Sequence, residues 1–282
     1  MIFILVPVHN RLVHVKPFVE DLARQRGAPE FRLVVIDAGS TDGTREFLRS
    51  FATGQREQPL DLDIVEGHGD WWWSRSIQMG IDRVLPHLST TDKVMIINDD
   101  VSLDPTYLQR IAELSDDHPD ALITSCLVAT DDATGVPFHF GVSIDQERLR
   151  FVDVVPAATD GRDMLLHSDV ASGRGTLFPA SAIRGGVRPR VRQLPHYLAD
   201  YDMGLQARAL GYTIIGRSDI YVTTDEVQGN ARRFKNQFQY RTRQESPGRL
   251  LTWWNFWTSP TLGMGRMTVL GRACRHMVRR GA

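Results

Sequence analysis

Val34-Val35-Ile36-Asp37-Ala38-Gly39-Ser40-Thr41-Asp42-Gly43-Thr44 is the stretch that decides the fold of this 282-residue chain. Residues 33–36 form a short apolar run, mostly β-branched, the composition of a buried parallel strand, and the run ends on an acid followed by turn residues. The same pattern recurs at residues 94–97, which lead into Asn98-Asp99-Asp100. A third acidic group, Asp200-Tyr201-Asp202, precedes a helical pattern. In an open α/β sheet, ligands bind beyond the carboxyl ends of the strands, so acids placed there face one crevice. Several carboxylates in a cleft suit a hard divalent cation that bridges to a phosphate-bearing ligand.

Working outward, residues 2–6 predict a first strand closed by Pro7-Val8-His9-Asn10. A helix follows over 13–25, with Val15, Phe18, Val19 and Leu22 as its apolar stripe. Residues 32–36 are the second strand, and Thr41 or Asp42 caps a helix running to about Phe51. Residues 62–65 predict a third strand, 71–88 contain a helix, and 93–97 predict the next strand. Pro105 opens a further helix to about Leu114. This rhythm predicts a mainly parallel, nucleotide-binding half over residues 1–130. Residues 122–179 break into strand-like pieces that predict antiparallel additions, and 202–210 predict a helix that stops at Gly211. With no repeat and no low-complexity linker, residues 1–227 read as two lobes sharing one sheet, the second being 131–227. Residues 228–282 form a basic, aromatic helical extension.

Composition bounds the function. Cys126 and Cys274 are the only cysteines and lie far apart, which gives neither a disulfide framework nor metal spacing and favours a reducing compartment. Residues 1–7 lack a basic leader region and read as a strand, not a signal peptide. No apolar run approaches the roughly 18 residues a membrane span needs, so a cytoplasmic location is expected. The net charge of −1 conceals an asymmetry: residues 228–282 carry eleven Lys/Arg against Glu245 alone, a balance of +10, leaving −11 on the body. That extension, with Phe234, Phe238, Tyr240, Trp253, Trp254, Phe256 and Trp257, suits an anionic membrane face, a packed C-terminal helix or a homodimer contact. Basic residues interleaved with aromatics do not specify nucleic acid, and none is expected as a partner. The absence of a Gly-x-Gly-x-x-Gly or Walker loop removes support for dinucleotide and ATP-hydrolysis chemistry, and the nine histidines show no zinc spacing.

Each acidic motif carries two readings. Asp37 and Asp42 flank a Gly-Ser-Thr turn and can serve turn and cap chemistry, yet a carboxylate ending a buried strand can also accept an N–H from a nucleobase. Asn98-Asp99-Asp100 is either a solvated helix entrance or a set of oxygen ligands for a cation that neutralises a departing diphosphate. N-capping accounts for one of Asp200 and Asp202, most simply Asp202, and leaves the other to remove a proton from an acceptor hydroxyl. Trp71-Trp72-Trp73 cannot all face one core, so at least one lines a cleft or the surface.

Taken together, the segments over residues 2–228 resemble glycosyltransferase family 2, the inverting enzymes of the GT-A fold. Pro7-Val8-His9-Asn10-Arg11 resembles the family's opening strand end, and residues 35–44 resemble its nucleotide-binding turn. Gly69-Asp70-Trp71-Trp72-Trp73-Ser74 with Gly80-Ile81 is similar to a segment of the rhamnosyltransferase-like branch. Asn98-Asp99-Asp100 stands at the Asp-x-Asp position, residues 172–176 resemble the Gly-rich stretch beside the acceptor, and residues 198–212 resemble the Glu-Asp-x-Asp helix start.

The resemblance implies a Rossmann-like, mainly parallel α/β sheet with antiparallel additions, and Mg2+ or Mn2+ as cofactor. It implies Asp200 as general base, and nucleotide contacts from Pro7, Val8, His9, Asn10, Asp37, Ser40, Asp42, Trp73, Ser76 and Asp99. Asp100, Asn98 and Asp225 are the implied metal ligands, and Gly173, Arg174, Tyr201 and Asp202 the implied acceptor contacts. Four positions depart from the family pattern. Asn98 replaces the first Asp of Asp-x-Asp, Ala199 replaces Glu, Gln78 replaces a frequent Asn, and Tyr221-Val222-Thr223-Thr224-Asp225 lacks the frequent metal-binding His. The expected partners are a nucleoside-diphosphate sugar, with deoxythymidine-diphosphate rhamnose ahead of uridine-diphosphate sugars, and a glycan or lipid-linked acceptor. The rival readings are a nucleotidyltransferase and an inactive nucleotide-sugar-binding module.

Overall fold

Strands β1 (Ile2–Val8), β2 (Phe31–Asp37), β3 (Leu62–Glu66) and β4 (Lys93–Ile97) are joined by helices α1 (Leu12–Ala23), α2 (Thr44–Thr53) and α3 (Trp73–Val84). Their apolar residues alternate between two cores. In β1, Ile2, Ile4, Val6 and Val8 pack on one face of the sheet, while Phe3 and Leu5 pack on the other. β2 and β4 divide in the same way, so both faces are buried under helices, as a parallel sheet requires. A helix α4 (Tyr107–Asp117) follows β4. The computed structural model describes residues 1–53, 60–130, 137–154, 164–225 and 249–280.

Between α4 and residue 225 the described elements are β5 (Ala121–Thr124), β6 (Cys126–Ala129), β7 (Val142–Asp145), β8 (Arg150–Asp153), β9 (Leu165–His167), β10 (Arg174–Pro179), α5 (Ala180–Arg184), α6 (Ala199–Ala209), β11 (Thr213–Arg217) and β12 (Tyr221–Thr224). Eight strands make one sheet in the order β3-β2-β1-β4-β10-β5-β11-β9. β1, β2, β3 and β4 are mutually parallel, β10 runs antiparallel between β4 and β5, and β9 runs antiparallel to β11 at the edge. The chain moves outward from β1 to β3 and then returns to the other side of β1. The order therefore reverses between β1 and β4, and the crevice opens beyond their carboxyl ends. β6 pairs with β12, and β7 with β8, as small accessory ribbons.

Two helix starts differ from expectation. α4 begins at Tyr107, because Asp104 Oδ1 accepts the Thr106 amide (2.9 Å) and hydroxyl (2.7 Å) and holds residues 104–106 in a turn. α6 begins at Ala199, three residues before the expected 202, after Leu198 adopts a left-handed φ of 63°. Neither Asp200 nor Asp202 is then its N-cap, since both lie inside the first turn. The end of α6 is as expected. Gly211 N–H bonds to the Arg208 carbonyl and Tyr212 N–H to that of Ala207, the Schellman pattern.

Near the C-terminus, α7 (Arg249–Trp257) and α8 (Arg266–Arg280) are helical. Phe256 and Trp257 are fully buried with Val142, Leu149, Ala199 and Leu205, so this part of the extension completes a core against α6 and the β7–β8 ribbon. Phe234, Phe238 and Tyr240 lie outside the described residues. The joint is polar. Asp202, fully buried, accepts Arg190 Nε (2.8 Å) and Nη2 (2.9 Å), Gln206 Nε2 (2.8 Å) and Ser259 Oγ (3.0 Å). Arg190 also reaches the Asn255 carbonyl at 3.3 Å, so one ion pair fastens the C-terminal segment to α6. Removing one partner strands the other in a largely dry site. Asp202→Ala is therefore expected to lower unfolding stability by about 3 kcal/mol in urea titration, and a loss below about 1 kcal/mol would show that the pair is not the fastener.

Candidate active site

At the β1 and β2 ends, one interlocked loop system forms the first wall of the crevice. Asn10, at φ 52°, donates its backbone N–H to Ser40 Oγ (2.9 Å), and its side-chain oxygen accepts Thr41 N–H (2.8 Å). His9 Nδ1 meets the Ala38 carbonyl at 2.9 Å. Asp37 is fully buried; its oxygens accept Ser40 N–H (2.8 Å) and Arg45 Nε (2.7 Å). Asp42 accepts Leu12 N–H at 3.0 Å and both the Thr44 amide (3.1 Å) and hydroxyl (2.5 Å), so it holds the first turns of α1 and α2 together. Its carboxyl sits below the ordinary value, chiefly through the Thr44 hydroxyl. Pro7 and Val8 lie in β1, where their register partners are Ile36 and Asp37.

Across the switch point stands the acidic triplet. Arg11 Nε donates to Asp99 Oδ1 (3.1 Å) and Oδ2 (3.3 Å), and an Arg11 terminal nitrogen lies 3.7 Å from Asp100 Oδ2. Burial pushes Asp99 up to about 6, against the lowering effect of Arg11 and with a smaller push from Asp100. The Asp100 Oδ1 atom is buried and has no hydrogen-bond partner among the described residues. Thr224 Oγ1 donates to the Asp100 carbonyl (3.1 Å), which brings the end of β12 and the exposed Asp225 to the same edge. Asn98 accepts Trp73 Nε1–H at 3.0 Å.

The third wall comes from β10 and α6. Asp200 Oδ2 accepts Gly173 N–H and Oδ1 accepts Tyr201 N–H, each at 2.9 Å. Burial raises the Asp200 carboxyl, and these two amides together with Arg174 oppose the rise. A Cβ at Gly173 would lie 3.2 Å from Trp73 Cζ2 and 3.4 Å from Asp200 Oδ2, so Trp73 links the triplet to the Asp200 wall. Pairing of β10 with β4 shifts between Arg174 and Thr176, a bulge centred on Gly175 at φ +96°. Such bulges re-aim a side chain, and Arg174 Nη2 lies 3.6 Å from Asp100 Oδ2.

The arrangement brings together Asp99, Asp100, Asn98, Trp73, Gly173, Arg174 and Asp200. Ser76 is buried within α3, and Asp202 points into the C-terminal joint, away from this group. Tyr201 packs edge-on against Phe151 (5.2 Å between centroids), and burial raises its phenol. Arg11 and Arg45 were the residues missed. Their signal was indirect, a basic residue following each loop that faces the acids.

Among the described residues no three His, Cys, Asp or Glu side chains form a metal cluster. The orphaned Asp100 Oδ1 nevertheless fits a cation that takes its other ligands from phosphates and water. Gly175→Ala would place its Cβ 2.5 Å from the Tyr107 hydroxyl and 2.7 Å from Ser125 Oγ, at a φ that disfavours L side chains. The expected cost is about 3 kcal/mol in chemical denaturation, and a neutral substitution would contradict the bulge.

The model of the family "Glycosyl transferase family 2" matches residues 3–153. No curated protein matches the chain by sequence. Among solved structures, S. aureus TarS 1-349 is 14% identical, with a TM-score of 0.55, over 79% of this chain and 60% of its own. The mannosyltransferase PcManGT from Pyrobaculum calidifontis, in complex with GDP-Man and Mn2+, is 13% identical with a TM-score of 0.58, over 98% of this chain and 75% of its own. GalNAc-T7 with UDP, GalNAc and Mn2+ is 8% identical with a TM-score of 0.63, over 79% and 43%. These likenesses establish a shared fold.

Proposed function

The chain belongs to glycosyltransferase family 2, and from that premise we propose that it moves a sugar from a nucleoside-diphosphate sugar to a hydroxyl of a glycan or lipid-linked acceptor, with inversion at the anomeric carbon. The GT-A-type sheet provides the crevice, and Asp200 is the observation that carries the reading. Its carboxylate is held in place by two backbone amides, and burial makes it a stronger base than an ordinary aspartate. Asp200 takes the acceptor proton as the acceptor oxygen attacks the anomeric carbon. The charge that develops on the sugar is oxocarbenium-like, as in other glycosyl displacements.

The donor's base would lie against the Asp37–Ser40 turn and the Pro7–Asn10 loop, and its diphosphate beside Asp100. Mg2+ or Mn2+ on Asp100, with Asp225 at the same edge, would neutralise charge on the departing diphosphate. Asn98 acts through Trp73, which it orients. Deoxythymidine-diphosphate rhamnose is the donor class proposed from the Trp71–Trp73 segment, with uridine-diphosphate sugars next. The structures of related fold contain UDP, UDP-GlcNAc or GDP-Man.

Asp200→Asn is expected to reduce transfer at least about 100-fold, the scale of losing a general base, with nucleotide affinity within about twofold of wild type. Equal loss of both would remove the role assigned to it. The acid limb of the kcat/KM profile should lie above the pH of an ordinary aspartate, because the base form is lost as pH falls through the raised value.

Among the described residues, a membrane role rests chiefly on α8, with Leu251 of α7 also exposed. Met267 is 79% exposed and Leu270 46%, with Arg266 and Arg275 also exposed, whereas the aromatic side chains of α7 turn into the core. No described helix is long and apolar enough to cross a bilayer. Peripheral binding to an anionic surface is thus proposed through this helix. Substituting Met267→Asp and Leu270→Asp together should weaken co-sedimentation with phosphatidylserine vesicles, and unchanged binding would exclude α8 as the contact.

A further inference from the structure

Two guanidinium groups converge on one carboxylate oxygen where the leaving group would form. Asp100 Oδ2 has a terminal nitrogen of Arg11 at 3.7 Å and one of Arg174 at 3.6 Å. Both separations exceed hydrogen-bond length, so the attraction to Asp100 is electrostatic. Arg11 is anchored instead through Asp99, which its Nε and a terminal nitrogen both reach at 3.1 Å. Arg174 is aimed inward by the Gly175 bulge and is 12% exposed, so its charge acts through a partly desolvated site. Its charge also reaches Asp200, which places it between the acidic triplet and the base.

Guanidinium forks match phosphate oxygens in shape as well as charge. We infer that Arg174, with Arg11, forms a clamp that binds the donor diphosphate and takes up the charge of the leaving group, so that nucleotide binding does not require a divalent cation. The inference rests on the transferase reading above.

In the step it serves, the anomeric C–O bond breaks and its electron pair passes to the β-phosphate oxygen. The acceptor oxygen bonds to the same carbon, and its proton goes to Asp200. The diphosphate gains one negative charge, and the two guanidinium groups beside Asp100 meet it. A cation remains compatible with the clamp, because the buried Oδ1 of Asp100 is not the atom the arginines share.

The test is isothermal titration of the full chain with UDP, GDP and dTDP and their nucleosides, in EDTA and then with Mn2+. Wild type is expected to bind one diphosphate in EDTA. Arg174→Gln should weaken that binding about tenfold or more, the scale of losing a charge-assisted hydrogen bond. Arg174→Lys should restore part of it, and the affinity for the matching nucleoside should not change. Arg32→Gln, a surface variant whose partner is Asp61, should bind as wild type.

Should Arg174→Gln fail to give a cooperative melt, Arg11→Gln and Arg174→Lys carry the same comparison. Diphosphate binding by wild type only with Mn2+ would overturn the clamp, as would unchanged affinity of Arg174→Gln in EDTA. Absence of binding under both conditions would overturn the transferase reading along with it.

Discussion

Charge compensation at the carboxyl edge of the sheet governs how this molecule is put together. The β1/β4 switch gathers acids at one edge, and buried carboxylates persist only when paired or hydrogen-bonded. Asp37 is met by Arg45, Asp99 by Arg11, Asp100 by Arg11 and Arg174, and Asp202 by Arg190. Among the described residues Asp200 is the exception. It is held by backbone amides, with no guanidinium in ion-pair contact, and burial raises it. The carboxylate suited to move a proton is the one left without a direct cationic partner, which is the separation of roles expected when neighbouring acids differ in environment.

That arrangement also gives the C-terminal segment a structural duty. Asp202 is two residues from Asp200 on the same helical turn, and its bonds to Arg190 and Ser259 tie α6 to the segment after α7. Phe256 and Trp257 close the apolar side of the same joint. The described part of the extension thus braces the helix that carries the proposed base, and among the described residues the outer face of α8 and Leu251 are left for a surface role.

Much of the nucleotide-binding half was legible in the sequence, because each of its strands is a short apolar run ended by turn chemistry. The observed β1, β2, β3 and β4 fall within two residues of the expected bounds. The start of α6 was not legible, since Leu198 adopts a left-handed φ that no propensity for leucine foretells. Asp202 looked like a cap or an acceptor contact because its partners, Arg190 and Ser259, are distant enough to be invisible to local pattern. The tryptophans of the extension were ambiguous for a similar reason. Composition gives their amphipathic character but not which surface they cover, and the structure turns Trp257 inward. Arg174 was marked by family likeness alone; its direction comes from a bulge, which depends on the register of two strands and on Gly175.

The proposed function puts a diphosphate in the β1/β4 crevice, with Asp200 facing the sugar. The most direct measurement is a crystal structure of the protein soaked with the nucleoside diphosphate it binds best. The base is expected against Asp37 and Ser40, and the diphosphate between Arg11, Asp100 and Arg174, with its outer phosphate turned toward Asp200. A nucleotide bound elsewhere on the molecule, or one whose phosphates point away from Asp100 and Asp200, would contradict it.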